Sequence, residues 1–537
     1  MRDSAEPNAK PRSVGDRVVE PVRVAHIGNV ANNAYSNAKF QRRLGLQADI
    51  YHYRNEFIMG HPEWEDADFA GEPDPFNPPD WPSIRFTNGY VRPEWAKYLG
   101  DHLEADASGE VPRVVRTDGA DSHMPAASLG SIATRLRDLA HRGIRRFNAL
   151  SRQGQLARGE RLELLALSLF QQGVEWASIA KEERPFSVDA RLRSRRERLR
   201  EINGQSRISA STERLTLHQL RGFPHWESFR QTCAPYDIVQ LYGLEVAKGT
   251  FLPPEQPLIA FEHGTLRGFP FEQTVRGRLL ALGHKSADWS VITNADTVSE
   301  AKRLGLERYG FIPHPLDEDK YVDGPSAVGE VLRRELGCEL LLFCPTRHEW
   351  SDAFDSKRTD RALRVFVRYV REAEPSGAPR AGFVLSDWGR DARAAQALLS
   401  AAGVAERVTW RAPMPKLRML DYYRAADVVV DQFHDRVGSF GAVTAEAMSC
   451  GRPVVMYFNP AVHEWCLPEM PPIRSARTEE EIYARLVELG DAATRRRVGQ
   501  ESRAWIERWH GWRRSTDLHL DVYRHTAERR RVALRLP

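Results

Sequence analysis

Short apolar runs recur along the chain, and most of them stop at a glycine, an asparagine or a charge. The first is "VRVAHIGNV" (22–30); the amphipathic "ANNAYSNAKFQRRLG" follows and closes at Gly45, and "QADIYHY" is the next apolar run. Strand, loop, helix, strand is a βαβ unit, which predicts a parallel sheet. The alternation resumes with "YDIVQLYG" (236–243), "PLIAFEHGT" (257–265) and "DWSVITNAD" (288–296). A second series begins at "ELLLFCPTR" (339–347) and continues as a helix over 358–373, the strand "AGFVLSDWG" (381–389) and a helix over about 391–402. The strand "RVTWRA" (407–412), the helix "KLRMLDYYRAA" (416–426) and the strand "DVVVDQF" (427–433) complete it.

Two stretches break the pattern. Residues 61–82 are rich in proline and acid and read as a long surface loop, and about 127–215 is Arg-rich and helical, as in "RLRDLAHRGIRRFNAL" and "RLRSRRERLREI". The prediction is an α/β chain of two Rossmann-like, doubly wound domains facing a cleft. The first spans 22–315 and carries a large helical insertion at about 60–230. The linker-like "GFIPHPLDEDKY" (310–321) leads to the second, 316–500. Residues 1–21 read as a disordered tail, and helices over 501–537, with Trp505, Trp509 and Trp512 on roughly one face, are expected to pack back across the domains.

Composition narrows the function classes. A chain of 537 residues exceeds one ordinary core. No run approaches the roughly 18–20 apolar residues of a membrane span. The start has no apolar leader stretch, so no secretory signal is expected. Cys233, Cys338, Cys344, Cys450 and Cys466 form no C-x-x-C pair, which speaks against a zinc cage or disulfide framework and for a reducing, cytoplasmic place. A net charge of +4 is too mild to suggest nucleic acid as a partner.

The most informative stretch is "GSFGAVTAEAMSCGRPVV" (438–455). A loop with Gly438 and Gly441 runs into a short helix, and unpaired N–H groups at a helix start suit an anion such as a diphosphate, here along Ser439, Phe440 and Gly441. Glu446, read as lying in the first turns, can accept two hydrogen bonds from a vicinal diol such as ribose. An ordinary strand–loop–helix connection is the competing reading. After the first strand of the second series, "CPTRHEWSDAFDSK" offers Arg347 to fork onto phosphate oxygens and Lys357 as a point charge, against the reading of two solvated surface cations. "FEHGTLRGF" sets His263 at a strand end, either as a structural histidine or as a sugar contact. In the first loop, Gly28, Asn29, Asn32 and Asn33 serve an acceptor or phosphate, or are turn and cap residues.

With "DYYRAADVVVDQF…GSFGAVTAEAMSCGRPVV", "PTRHEW…K" and "FIPHPLDEDKY", the chain resembles the GT-B retaining glycosyltransferases of family 4, the group 1 type. The resemblance covers about 285–470, extends more weakly to 22–55 and 236–270, and stops over 60–230. It implies transfer of a sugar from a nucleotide diphosphate donor to an acceptor hydroxyl of a glycan, lipid-linked or small-molecule acceptor. No metal and no further cofactor are implied. Glu446 matches the glutamate that holds the donor ribose, Arg347 and Lys357 match the diphosphate cations, and His263 matches the histidine that contacts the transferred sugar. Arg411 and Met414, in "RAPMP", lie where the base sits in that family. Gly438 stands where the family carries its first glutamate. A sugar-nucleotide epimerase of the same architecture and a non-catalytic nucleotide- or glycan-binding partner are the rival readings. The Arg-rich insertion is read either as a helix lying on the inner face of an anionic membrane, or as a basic helix packed on its own domain.

Overall fold

A computed structural model describes residues 21–54, 56–69, 79–99, 200, 226–351, 356–434 and 436–537. The first half holds seven parallel strands: β1 (Arg23–Ile27), β2 (Gln47–His52), β3 (Ala96–Tyr98), β4 (Ile238–Tyr242), β5 (Leu258–Phe261), β6 (Trp289–Ile292) and β7 (Tyr309–Phe311). Their spatial order is β3-β2-β1-β4-β5-β6-β7. The second half repeats the plan with β8 (Leu340–Cys344), β9 (Ala381–Ser386), β10 (Val408–Arg411), β11 (Val428–Val430), β12 (Val454–Met456) and β13 (Arg474–Ser475), in the order β10-β9-β8-β11-β12-β13. Every ladder in both sheets is parallel. The α/β, GT-B arrangement expected from the resemblance is therefore present.

The apolar runs become strands because they are covered on both faces. All five residues of β4 and of β8 are buried, as parallel strands between helix layers must be. In each sheet the order reverses beside the first strand, between β1 and β4 and between β8 and β11. Such a switch point opens a crevice at the carboxyl ends of the strands, where ligands of doubly wound folds bind.

Three expectations need correction. Residues 61–82 are not a bare surface loop: Pro62–Asp66 is a helix, and Trp64, Phe69 and Trp81 are buried with Ile58 in a small aromatic core. The repeated aromatics give that segment an interior of its own, which a proline- and acid-rich composition conceals. The linker reading of 310–321 overlooked β7, three residues long and too short for a periodic signal. The C-terminal tryptophans do not share one helix. Helix Ala492–Trp509 buries Trp505 in the second half, the chain breaks at His510 and Gly511, and helix Trp512–Arg530 buries Leu520, Val522 and Tyr523 in the core of the first. Tyr523 Oη donates to Gln240 Oε1 at 2.9 Å and accepts from Gln41 Nε2 at 2.9 Å, so the C-terminal helix is an integral part of the first half. Apart from Arg200, the Arg-rich stretches expected over about 127–215 lie outside the described residues. Among the described residues no helix is long and apolar enough to cross a membrane.

Candidate functional site

A cleft of about 940 Å³ separates the carboxyl ends of the two sheets. Its second-half wall is built at the β8/β11 switch point. Asp431, buried just past β11, accepts from Thr346 Oγ1 at 2.6 Å and Thr444 Oγ1 at 2.8 Å, which fastens both strand ends to the helix Ala442–Ser449. Burial pushes the Asp431 carboxyl upward against those two hydrogen bonds and the charge of Lys357. The next residue, Gln432, accepts from Lys357 Nζ at 2.9 Å and donates to the Ser439 carbonyl at 3.2 Å. One amide thus ties the lysine to the loop that caps the helix, and Lys357, Ser439, Phe440 and Gly441 all line the cleft. Among the described residues the N–H groups of Ser439, Phe440 and Gly441 meet no protein acceptor, as an anion site requires.

The loop is held from behind. Phe440 is buried among Phe458, His463, Trp505 and His510, with ring centroids 5.4–6.0 Å away. Gly438 does not line the cleft. A Cβ there would lie 2.4 Å from Asn459 Cβ and 2.9 Å from Asn459 N, while the Gly438 carbonyl accepts from that same N–H at 2.9 Å. A side chain at this position would have to displace Asn459, including its backbone.

Glu446 lies in the second turn of its helix rather than at the start, since Ala442 is the first helical residue. It is nearly buried yet lines the cleft. Lys416 Nζ donates to its Oε1, and Tyr423 Oη donates to its Oε2 at 2.8 Å. A carboxylate offers about four acceptor positions, so both oxygens keep one for a hydroxyl.

The first-half wall comes from segments after β1, β2, β5, β6 and β7. Asn33 Nδ2 donates to His263 Nδ1 at 2.6 Å, which leaves the ring proton on Nε2, and the His314 ring lies edge-on at 5.3 Å. Burial, with the charges of His314 and Arg267, lowers His263 to about 3, so it is a neutral donor at pH 7. Arg267 grips Asp296 through Nε at 2.7 Å and Nη2 at 2.8 Å, and Ser439 Oγ from the opposite wall donates to the same carboxylate at 3.0 Å. Burial would raise Asp296; those bonds outweigh it and hold the carboxyl below the usual range.

The remaining sequence candidates lie elsewhere. Gly28 (φ +85°) and Asn29 shape the turn after β1. Asn29 Nδ2 donates to the Gly60 carbonyl at 2.7 Å and Asn32 Nδ2 to the His61 carbonyl at 2.8 Å, so these two act as turn residues. They also hold Ala31 and Asn32 in left-handed conformations that cost about 1 kcal/mol each. Arg347 is not on the cleft lining; Glu349 is 3.9 Å from it. Arg411 donates to Tyr422 Oη and Thr409 Oγ1 at the outer edge of its sheet, and Met414 is half-buried beside it; neither lines the cleft. Residues that the sequence reading passed over are Arg267, Asp296, Lys416 and Glu65. The first three follow strand ends, a signal that could have found them, whereas Glu65 lies in the stretch read as bare loop. Among the described residues no group of three or more His, Cys, Asp or Glu side chains could hold a metal ion.

Residues 354–491 match the family described as group 1 glycosyl transferases. The D-inositol 3-phosphate glycosyltransferase of Xylanimonas cellulosilytica is 32% identical over 257 residues, 46% of this chain and 58% of that one. The protein of the same name from Nocardia farcinica is 31% identical over 174 residues, 30% of this chain and 36% of that one. The chain thus spans less than two thirds of the length of these curated relatives. Among solved structures, sucrose-phosphate synthase from Thermosynechococcus elongatus covers 95% of this chain and 100% of its own at a TM-score of 0.50 and 13% identity, a likeness of fold.

Proposed function

We propose that this chain, whose residues 354–491 belong to the group 1 glycosyltransferases, moves a glycosyl group from a nucleotide diphosphate sugar to an acceptor hydroxyl. The observation that carries the proposal is the shared wall formed by Lys357, Gln432, the N–H groups of Ser439–Gly441 and Glu446. A leaving diphosphate gains charge as the glycosyl bond breaks, and preorganised donors aimed at that charge are the largest source of rate. Lys357 and the three amides supply it, Glu446 takes the ribose hydroxyls, and Asn33, which orients His263, leaves an Nε2–H for an oxygen of the transferred sugar. The acceptor enters from the first-half wall. A polyol or glycan hydroxyl is the class we assign, in keeping with the inositol phosphate in the relatives' name. Retention of anomeric configuration and independence of a bound metal belong to the same proposal, as does a cytoplasmic place of action.

Thermal unfolding against nucleoside diphosphates tests this reading, because a ligand of the folded state raises the melting temperature by mass action. A nucleoside diphosphate that stabilises the wild type and not Glu446→Ala supports it. Indifference of the wild type to every nucleotide in the panel would overturn it and favour the non-catalytic reading.

A further inference from the structure

We infer that Glu65 is a second carboxylate of the nucleotide site, contributed by the first half, and that with Glu446 it selects a donor with an intact ribose diol. This rests on the reading of Glu446 given above. Glu65 lines the cleft together with Tyr321, Lys416 and Glu446. Lys320 Nζ donates to Glu65 Oε1 and to the Glu65 carbonyl, both at 2.6 Å, whereas Oε2 accepts no hydrogen bond among the described residues. Only 14% of the Glu65 side chain is exposed, and Oε2 is not among the fully buried unpartnered atoms, so this unused carboxylate oxygen is open to solvent, where a ligand hydroxyl can take the place of water. The fields of Glu65 and Glu446 converge: burial would lower Lys320, but Glu65, Asp66 and Glu446 outweigh it, and the Tyr321 hydroxyl is raised by burial and by Glu446 and Glu65.

The position of Glu65 is built, not incidental. Pro62 starts the short helix that carries it, and Trp64 and Phe69 anchor the segment in its aromatic core. That helix packs against helix Lys416–Ala425 of the other half, and Arg418 Nε donates to Asp68 Oδ1 across the same boundary at 2.6 Å. The carboxylate is therefore held in register with Lys416, the partner of Glu446. A vicinal diol has two O–H donors. Glu446 has one acceptor position left on each oxygen, but only Glu65 presents an oxygen with no partner at all. A site whose acceptors bond a hydroxyl favours the ligand that carries it over the analogue that lacks it. Since the two carboxylates come from opposite walls, the ribose would also draw the halves together.

Isothermal titration of the full chain tests this with UDP and GDP and with their 2′-deoxy and 3′-deoxy forms, on wild type, Glu65→Gln and Glu446→Gln. Glutamine keeps the Oε1 acceptor for Lys320 and removes the charge. Glu65→Gln is expected to weaken the ribonucleotide about tenfold or more, the size of a charge-assisted hydrogen bond, while changing the affinity for one deoxy form by less than about threefold. That deoxy form lacks the hydroxyl which Glu65 holds. Unchanged binding of UDP and GDP, or an equal loss for the ribonucleotide and both deoxy forms, would overturn the inference. Failure of the underlying reading looks different. Neither UDP nor GDP then binds the wild type, or Glu446→Gln binds as the wild type does, and the inference falls with it.

Discussion

Ser439 Oγ donates to Asp296 Oδ1 at 3.0 Å, and the two residues belong to opposite walls of the cleft. Asp296 is at the same time the bidentate partner of Arg267. The loop that presents free N–H groups to the cleft is thus fastened to the first half at the place where the diphosphate would lie. Ser439→Ala removes one hydrogen bond worth about 1 kcal/mol. It should lower kcat/KM about tenfold through loss of cleft geometry and shift the midpoint of urea unfolding little. Steady-state kinetics beside a urea titration separates the two effects.

Lys357 and Arg347 were paired as candidate cations, but the structure separates them. Lys357→Ala should lower kcat about a hundredfold or more, the usual loss for one preorganised donor at a developing anion. Arg347, off the cleft lining, should cost less than about tenfold on removal, since it does not face the place where the leaving charge develops. Equal losses in the two variants would show that the loop after β8 rearranges when the donor binds.

Glu446→Gln removes the counter-charge of the Lys416 ammonium at a site where only 16% of that side chain is exposed, although the amide oxygen can still accept from Nζ. Breaking a buried pair from one side costs about 3 kcal/mol or more. Glu446→Gln should therefore be less stable as well as weaker in nucleotide binding, and Lys416→Met combined with it should recover part of the stability and none of the binding. A double-mutant cycle on urea midpoints checks the coupling.

Placing a glutamate at Gly438 should fail. The Cβ would press on Asn459 Cβ and on its backbone N, so even Gly438→Ala is expected to lose about 1–3 kcal/mol by overpacking. Asn459→Gly should relieve little of this, because the backbone contact at 2.9 Å remains. Melting temperatures of the two single variants and the double variant decide it.

The fold should be acid-labile. Burial lowers His26 to about 3 and His284, His348, His510 and His519 to about 4, against 6.5 for the free ring. Between those values the unfolded chain binds more protons than the folded one, so the stability from neutral rings is complete above about pH 6.5 and is lost as pH falls toward 4. Glu56, pushed up to about 7 by burial and by Glu245, acts in the opposite sense: its contribution is full below 4.5 and lost as pH rises through 7. Burial raises Glu63, Glu262, Glu318 and Asp431 in the same sense, but it also lowers His52, His61, His263, His314 and His463, so lowered rings outnumber raised carboxyls two to one at up to about 1.4 kcal/mol per pH unit each. Circular dichroism from pH 7 to pH 4 should show steep unfolding above pH 4; a flat profile would mean that the rings can reach water.

The sequence by itself determined the alternation of strands and helices in both halves, the strand-end location of His263, the place of Lys357 in the loop after β8, and the match of residues 354–491 to group 1 glycosyl transferases. These are local properties. An apolar run buried on both faces becomes a strand wherever it sits, and a glycine-bearing loop before a helix leaves its N–H groups open. Only the tertiary structure decided which strand-end residues share the cleft. It brought Arg267, Asp296 and Lys416 in, left Arg347 and Arg411 outside, and spent Asn29 and Asn32 on backbone carbonyls of the segment that carries Glu65. It also decided that a side chain at Gly438 would have to displace Asn459, distant in sequence and adjacent only after folding. A contact between residues far apart in the chain leaves no periodic trace in either stretch, and so is decided by packing alone.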